Sequence, residues 1–126
     1  MSYPADLRYT DQHEWVRIEG DIAVVGITSH AQDQLGDIVH VELPAVGKQV
    51  KRGASACEVE SVKAVSDVYA PLSGTVVEVN SGLDGNEAVI NTDPHGQGWL
   101  FKLRLADQGE LAGLLDAAAY TTLAAH

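Results

Sequence analysis

Short runs of alternating apolar and polar residues occupy most of the chain between positions 14 and 105. A period of two is typical of strands that bury one face, and the glycine-containing breaks between runs are typical of tight turns. The pattern therefore predicts a set of short antiparallel strands. The predicted strands cover residues 14–19, 22–27, 38–43, 56–61, 65–70, 74–80 and 99–105.

A short helix is predicted between the second and third of these strands. Ser29 and Gln32 have the spacing of a capping box, in which Ser29 would be the N-cap. Gly36 can adopt the left-handed conformation that ends a helix. One helix of about two turns is therefore expected inside the β-rich part of the chain.

The C-terminal segment, at about residues 107–124, has the pattern of helices. Asp107 begins a second capping-box sequence, and Asp116 is expected to cap a further helix. Apolar residues recur on one face, which predicts that these helices pack against a sheet. The members of this face are Leu111, Leu114, Leu115, Ala119, Tyr120 and Leu123.

Together, these elements predict a mainly β fold with two antiparallel sheets, as a sandwich or a flattened barrel, and helices at its edge. A chain of 126 residues is long enough for one core, so residues 1–126 are expected to form a single domain. No apolar stretch is long enough to span a bilayer. The first residues, Met1 to Asp6, do not resemble a signal or transit peptide, which predicts a cytoplasmic protein, most simply of a bacterium.

Charge and side-chain chemistry exclude several functions. The formal net charge of −10 argues against nucleic acid and anionic membranes as partners. The single cysteine, Cys57, shares a strand face with Val59 and is expected to be a buried structural thiol. The five histidines lack metal-ligand spacing, and no phosphate loop or nucleophile elbow is present. The chain is therefore expected to bind no metal and not to be an enzyme.

One lysine lies where a modifying enzyme could reach it. Lys63 falls between the predicted strands 56–61 and 65–70, at the apex of a tight hairpin. An amine at a hairpin tip is accessible and is held on a rigid frame, so Lys63 is predicted to be a site of covalent modification. The alternative is an ordinary solvated surface lysine.

The residues around this lysine carry a family resemblance. The sequence Glu60-Ser61-Val62-Lys63-Ala64 resembles the lipoyl-attachment hairpin of the H-protein family of the glycine cleavage system. Biotin carriers look like Ala-Met-Lys-Met at this point, and 2-oxoacid dehydrogenase lipoyl domains look like Asp-Lys-Ala. Further segments follow the same family order over about nine-tenths of the chain. They include His13-Glu14-Trp15-Val16, Gly26-Ile27-Thr28, Leu35-Gly36-Asp37-Ile38-Val39, Val41-Glu42-Leu43-Pro44 and Gly98-Trp99-Leu100.

The resemblance implies a barrel-sandwich hybrid that carries lipoic acid on Lys63. It also implies that the lipoylating enzyme recognises Glu60, Ser61, Val62 and Ala64. The implied role is that of a shuttle on which three enzymes act in turn. Glycine decarboxylase, a pyridoxal phosphate enzyme, would load an aminomethyl group, aminomethyltransferase would pass the one-carbon unit to tetrahydrofolate, and dihydrolipoamide dehydrogenase would reoxidise the arm. The carrier itself is expected to be a monomer.

The loaded arm bears a cationic amine that must be shielded from water. A carboxylate in a partly closed groove suits this task. By resemblance, Glu14 and Asp67 are the candidates, and His30 is expected to line the same cleft.

Two other functions remain open at this point. The chain could be a lipoyl or biotinyl carrier of another complex, against which the Ser-Val-Lys-Ala tip argues. It could instead be a lipoyl relay that donates the group to other proteins, or an unmodified binding domain.

Overall fold

The computed structural model describes residues 3–125. Met1, Ser2 and His126 lie outside that range, and so do the ends of the predicted domain. Within it, the strands form two antiparallel sheets, as the sequence predicts. The larger sheet has the order β1-β2-β3-β9-β8-β5 and the smaller one the order β4-β6-β7. The strands are β1 (Arg8–Tyr9), β2 (Glu14–Glu19), β3 (Ile22–Ile27), β4 (Ile38–Glu42), β5 (Gln49–Val50), β6 (Ser55–Ser61), β7 (Val65–Tyr69), β8 (Gly74–Val79) and β9 (Phe101–Leu105).

Short helices connect and flank these sheets. The α-helices are α1 (Ser29–Leu35), α2 (Ala88–Thr92) and α3 (Ala117–Ala124), and two 3-10 helices cover Ser81–Leu83 and Gln108–Gly113. No helix within residues 3–125 has both the length and the apolar character needed to cross a bilayer.

The main hydrophobic core lies between the two sheets. Its members come from the inward positions of the alternating strands, as the period-two pattern requires. On β6, Ala56, Cys57 and Val59 are buried while Glu58 and Glu60 are exposed. The prediction that Cys57 is buried is therefore confirmed, and burial raises the pKa of its thiol to about 12. Other large members are Leu72, Leu83, Ile90, Leu100, Phe101 and Leu103.

A second cluster covers the opposite face of the larger sheet. Trp15 on β2 and Val24 on β3 point away from the main core and pack with Tyr9 and with Tyr120 of α3. The rings of Tyr9 and Tyr120 stack with their centroids 4.7 Å apart. This cluster fixes α3 against the sheet, which confirms that the C-terminal helix packs on a sheet. It also explains why β3 is buried on both faces.

The start of α1 differs from the prediction by one residue. Thr28, not Ser29, is the N-cap, and its Oγ1 accepts a hydrogen bond from the backbone N–H of Ala31. Thr28 and Ser29 are adjacent hydroxyl residues, and either could cap the helix. The contact of Thr28 with Tyr120 favours Thr28. Thr28 is buried and its hydroxyl lies 2.7 Å from the hydroxyl of Tyr120.

The predicted C-terminal helices also need correction. Gln108–Gly113 is a 3-10 helix capped by Asp107, and the chain then becomes extended at Leu114. Leu115 exchanges two backbone hydrogen bonds with Tyr9, at 2.8 and 2.7 Å, so it extends the sheet instead of a helix. Asp116 does cap α3, as predicted, because its carboxylate accepts the N–H of Ala119.

Four further elements are not predicted from the sequence. The two-residue strands β1 and β5 are too short to show alternation, and α2 and the 3-10 helix Ser81–Leu83 lie between the predicted strands 74–80 and 99–105, where no element is predicted. The last predicted strand begins at Phe101 instead of Trp99.

Candidate functional site

The loop from Ser61 to Ala64 joins β6 and β7 and carries Lys63 at its outer end. The backbone N–H of Ser61 donates to the carbonyl of Ala64 at 2.8 Å, which closes the hairpin. Among the non-glycine residues described, positive φ is found at His13 and not in this loop. Val62 and Lys63 therefore turn the chain with negative φ. The hairpin predicted around Lys63 is confirmed.

The side chain of Ser61 completes the turn. Its Oγ accepts the backbone N–H groups of Lys63 and Ala64, at 3.3 and 3.0 Å. A serine that accepts from the residues two and three positions ahead satisfies donors that the turn leaves open. Because Ser61 is buried, its hydroxyl stabilises the turn from the inner side and is not accessible to a partner protein.

The tip rests on the segment that follows α1. The N–H of Val62 donates to the carbonyl of Asp37 at 3.1 Å. Gly36 has φ of 82°, and a Cβ at this position would lie 3.5 Å from Cε of Lys63. The aliphatic stem of Lys63 therefore lies over the end of α1, while the residue remains exposed. None of the ion pairs within residues 3–125 involves its amine.

An asparagine on α2 holds that supporting segment in place. The side-chain Oδ1 of Asn91 accepts the N–H of Ile38 at 2.8 Å, and it also receives the amide of Gln32 at 3.3 Å. The turn that carries Lys63 is thus fixed to α1 and α2 as well as to its own sheet.

The remaining residues of the predicted recognition set are exposed around the lysine. Val62 is 70% exposed, and Ala64 also faces solvent. Glu60 pairs with Val65 on one side and with His40 on the other, with its carboxylate on the outer face of the smaller sheet. Val65 is 58% exposed, so apolar and acidic side chains surround the tip together.

A cleft of about 350 Å³ lies between the start of β2, the end of β7 and the C-terminal segment. Its lining includes Arg52, Tyr69, Leu115 and Leu123. Glu14 lines the cleft and is 3% exposed. The cleft therefore combines apolar side chains with polar ones, among them Asp11, Gln12 and Arg52, and with a buried carboxyl group.

Glu14 is held by hydrogen bonds from two directions. The hydroxyl of Thr10 donates to Oε1 at 2.6 Å, and the backbone N–H of Tyr69 approaches Oε2 at 3.4 Å. Burial raises the pKa of Glu14 from 4.5 to about 7, although both hydrogen bonds act in the opposite direction. The carboxyl group therefore titrates closer to neutral pH than an ordinary glutamate does, and an incoming cation would favour its ionised form.

The three residues predicted to line one cleft lie in different surroundings. Glu14 lines the cleft just described, whereas Asp67 and His30 do not. Asp67 is exposed on β7 and accepts a hydrogen bond from the hydroxyl of Ser55 at 3.0 Å. The ring of His30 lies 4.6 Å from that of His13. Their assignment to the arm cleft stays a prediction.

Thr10 and Tyr69 belong to this site but were not identified from the sequence. Thr10 precedes Glu14 by four residues across a tight turn, and that spacing was the available signal. Tyr69 contacts Glu14 through its backbone, so its residue type gives no signal. No group of three or more metal-binding side chains comes together among residues 3–125.

Comparison with known proteins identifies a family. The family model described as glycine cleavage H-protein matches residues 7–126. The chain is 59% identical over 113 residues to the glycine cleavage system H protein of Thermotoga maritima, covering 90% of this chain and 91% of that protein. It is 58% identical over 117 residues to the H protein of Symbiobacterium thermophilum, with coverage of 93% and 91%.

A solved structure agrees with these relatives. The crystal structure of a glycine cleavage system H protein from Mycobacterium marinum superimposes with a TM-score of 0.89 at 45% identity, and the match covers 98% of this chain and all of that one. The two-sheet fold is therefore the barrel-sandwich hybrid that the resemblance implied. The chain belongs to the glycine cleavage H-protein family.

Proposed function

We propose that the chain carries lipoic acid in amide linkage on Lys63 and acts as the shuttle of the glycine cleavage system, without being an enzyme itself. The observation that carries this proposal is the tip geometry. An exposed primary amine stands on a turn whose N–H groups are bonded to Ser61 and Asp37. A rigid and accessible amine suits enzymatic acylation. We also propose that residues 1–126 act as one carrier domain.

The surroundings of Lys63 fit an acylated arm. Acylation removes the charge of the amine, and the lysine has no ion pair to lose within the described chain. When bound, the lipoyl group supplies a dithiolane that can be reduced and can carry the aminomethyl unit. The arm reaches on the order of 14 Å by summed bond lengths. Strand β7 rises about 13 Å between Val65 and Tyr69.

An arm that pivots at Lys63 and lies along β7 would therefore reach the level of Tyr69, whose backbone contacts Glu14. We assign Glu14 to the cationic amine at the end of the loaded arm. The apolar side chains of the cleft, Leu115 and Leu123, would limit the access of water to that amine, and the buried carboxylate would balance its charge. Asp67 lies on the outward face of β7, between the tip and Tyr69, and would face the arm along its path. His30, whose ring lies 4.6 Å from that of His13 beside Glu14 in the chain, is also proposed to contact the arm.

Recognition by the lipoylating enzyme is proposed to use the exposed side chains beside the lysine. Glu60, Val62 and Ala64 are open to contact, whereas Ser61 acts by setting the shape of the turn. The Glu60 side chain has no bonding partner within the described chain, which leaves its carboxylate available to a basic surface.

The proposed partners are those of the system named for the relatives. They are glycine decarboxylase, aminomethyltransferase, dihydrolipoamide dehydrogenase and the lipoylating enzyme. A net charge of −10 suits brief, charge-assisted encounters with several partners in turn. We propose a cytoplasmic monomer, since the relatives compared are bacterial proteins.

Intact-mass measurement on the protein from its native source tests the modification. The expected result is one lipoyl group, located at Lys63 by peptide mapping. In a reconstituted glycine cleavage assay, Lys63→Arg should fold normally and lose all carrier activity. Lys51→Arg is the matched control, since Lys51 is also an exposed turn lysine. An unmodified native chain, or full activity of Lys63→Arg, would overturn the proposal.

A further inference from the structure

Thr10 is the centre of a small hydrogen-bond network beneath the arm cleft. Its Oγ1 accepts the backbone N–H groups of Gln12 and Glu14, both at 3.2 Å, and it donates to Oε1 of Glu14 at 2.6 Å. Its own backbone N–H bonds to the carbonyl of Glu14 at 3.0 Å. Thr10 therefore closes the turn before β2 and contacts the buried carboxyl group at the same time.

The direction of these bonds follows from the chemistry of a hydroxyl group. A threonine hydroxyl has one proton and two acceptor lone pairs. Backbone N–H groups can only donate, and two of them point at Oγ1. The single hydroxyl proton is thus directed to Oε1 of Glu14, and this oxygen must act as an acceptor in either ionisation state of the carboxyl group.

The two carboxyl oxygens of Glu14 are consequently not equivalent. Oε1 is held at 2.6 Å by Thr10, whereas Oε2 has a long contact of 3.4 Å with the N–H of Tyr69. When Glu14 is neutral, the short bond from Thr10 favours Oε1 as the carbonyl oxygen, so the proton is favoured on Oε2, where the contact with Tyr69 is longer. When a cation arrives, Oε2 is the oxygen that can release that proton to water and accept a new donor.

We propose that Thr10 is a positioning residue for the arm cleft: its hydroxyl fixes Oε1 of Glu14 and so makes Oε2 the oxygen that receives the cationic amine of the loaded arm. The proposal rests on the proposed function, since it assumes that a loaded arm enters the cleft. Charged and titratable groups near Glu14 are Asp11 on the preceding turn, Arg52 across the cleft and Tyr120 of α3. None of these is as close to the carboxyl group as Thr10 is.

The first test is made on protein that carries no lipoyl group. The pKa of Glu14 is measured by carbon-13 NMR of its carboxyl group in the native chain, in Thr10→Val and in Thr10→Ser. Loss of a hydrogen bond to the ionised form should raise the pKa in Thr10→Val by about one unit or more, while Thr10→Ser keeps the native value. Thermal unfolding identifies any variant that fails to fold, and Thr10→Ala, which also removes the hydroxyl, replaces Thr10→Val in the test if that variant fails.

The second test uses lipoylated carriers that have been loaded with the aminomethyl group. The rate of ammonia release into buffer, without aminomethyltransferase, should increase about tenfold in Thr10→Val and stay native in Thr10→Ser. An unchanged pKa in Thr10→Val, or an unchanged rate of ammonia release, would overturn the positioning role. Behaviour of Thr10→Ser like that of Thr10→Val would also overturn it.

Failure of the proposed function has a different signature. In that case native protein would lack the modification at Lys63, although the pKa of Glu14 would still respond to Thr10→Val. The two ideas can therefore be judged separately.

Discussion

The lysine tip and the Glu14 cleft are built in opposite ways. The tip is formed mainly by consecutive residues: Ser61 closes it through contacts two and three positions ahead, and Val62 adds one distant bond to Asp37. The cleft needs the turn before β2, the end of β7 and the C-terminal segment, which are far apart in sequence. Presenting a group to partner enzymes thus requires a short rigid turn, whereas shielding the group afterwards requires the whole fold.

The largest expected effect comes from a substitution in α3, which should disturb the cleft and leave the tip unchanged. Tyr120→Ala removes a fully buried ring that stacks on Tyr9 and bonds to Thr28. The free energy of unfolding should fall by about 3–5 kcal/mol, measured by urea denaturation. At low temperature, where the chain stays folded, lipoylation of Lys63 should keep its rate, while a loaded arm should release ammonia faster because Leu123 no longer walls the cleft.

Tyr120→Phe serves as the control for this change. It keeps the stacked ring but loses the hydroxyl contacts with Thr28 and His13. The expected loss is smaller, about 1–3 kcal/mol. If Tyr120→Ala slows lipoylation as strongly as it speeds ammonia release, the tip and the cleft are not independent.

The same contrast determines what the sequence could predict. The hairpin around Lys63 was predictable because alternation in β6 and β7 and the turn between them are local features. The sequence predicts Ser29 as the N-cap of α1, whereas the structure has Thr28. Both hydroxyl residues have suitable local spacing, and the contact of Thr28 with the distant Tyr120 decides between them. Leu114 and Leu115 match a helical pattern, but pairing with Tyr9 draws Leu115 into the sheet.

Site residues follow this rule as well. Glu14 was identified through the family resemblance, while its partner Thr10 was not identified, since its role depends on the folded turn. Asp67 and His30 are predicted to join Glu14, and this stays a prediction; Asp67 lies on an exposed strand face and His30 packs on His13. A resemblance names candidate residues, whereas their relative positions depend on the fold.

A middle-sized effect concerns the pH dependence of stability. Folded Glu14 keeps its proton up to about pH 7, whereas the unfolded group loses it near pH 4.5. Between these values the folded chain binds more protons, so the free energy of unfolding should decrease as pH rises, by at most about 1.4 kcal/mol per pH unit. Glu14→Gln should abolish this contribution, which amounts to about 2–3 kcal/mol between pH 5 and pH 8.

Urea unfolding at pH 5 and pH 8 measures the difference between the native chain and the variant. His13 and His95, whose pKa values are lowered by burial, are present in both proteins, so their contributions cancel. Glu19→Gln is the control, because Glu19 lies on the same strand but is exposed. Equal pH dependence in native protein and Glu14→Gln would show that the buried carboxyl group does not titrate in this range.

The smallest effect on stability is expected at the tip. Glu60→Ala removes an exposed carboxylate, so the free energy of unfolding should change by no more than about 0.5 kcal/mol. The rate of lipoylation of Lys63 should nevertheless decrease about tenfold, because a charge-assisted contact with the lipoylating enzyme is lost. Mass spectrometry of timed lipoylation reactions measures the rate directly.

Glu58→Ala is the matched control for that substitution. Glu58 lies two residues earlier on β6, on the same exposed face, opposite Asp67 instead of Val65. Both variants change the net charge equally, so general attraction to a basic enzyme would slow both reactions to the same extent. A rate that falls in Glu60→Ala but not in Glu58→Ala would show that recognition is confined to the few residues beside the lysine. Equal rates in the two variants would instead mean that the enzyme reads the acidic face as a whole, and the tip would then be less self-contained than its hydrogen bonds indicate.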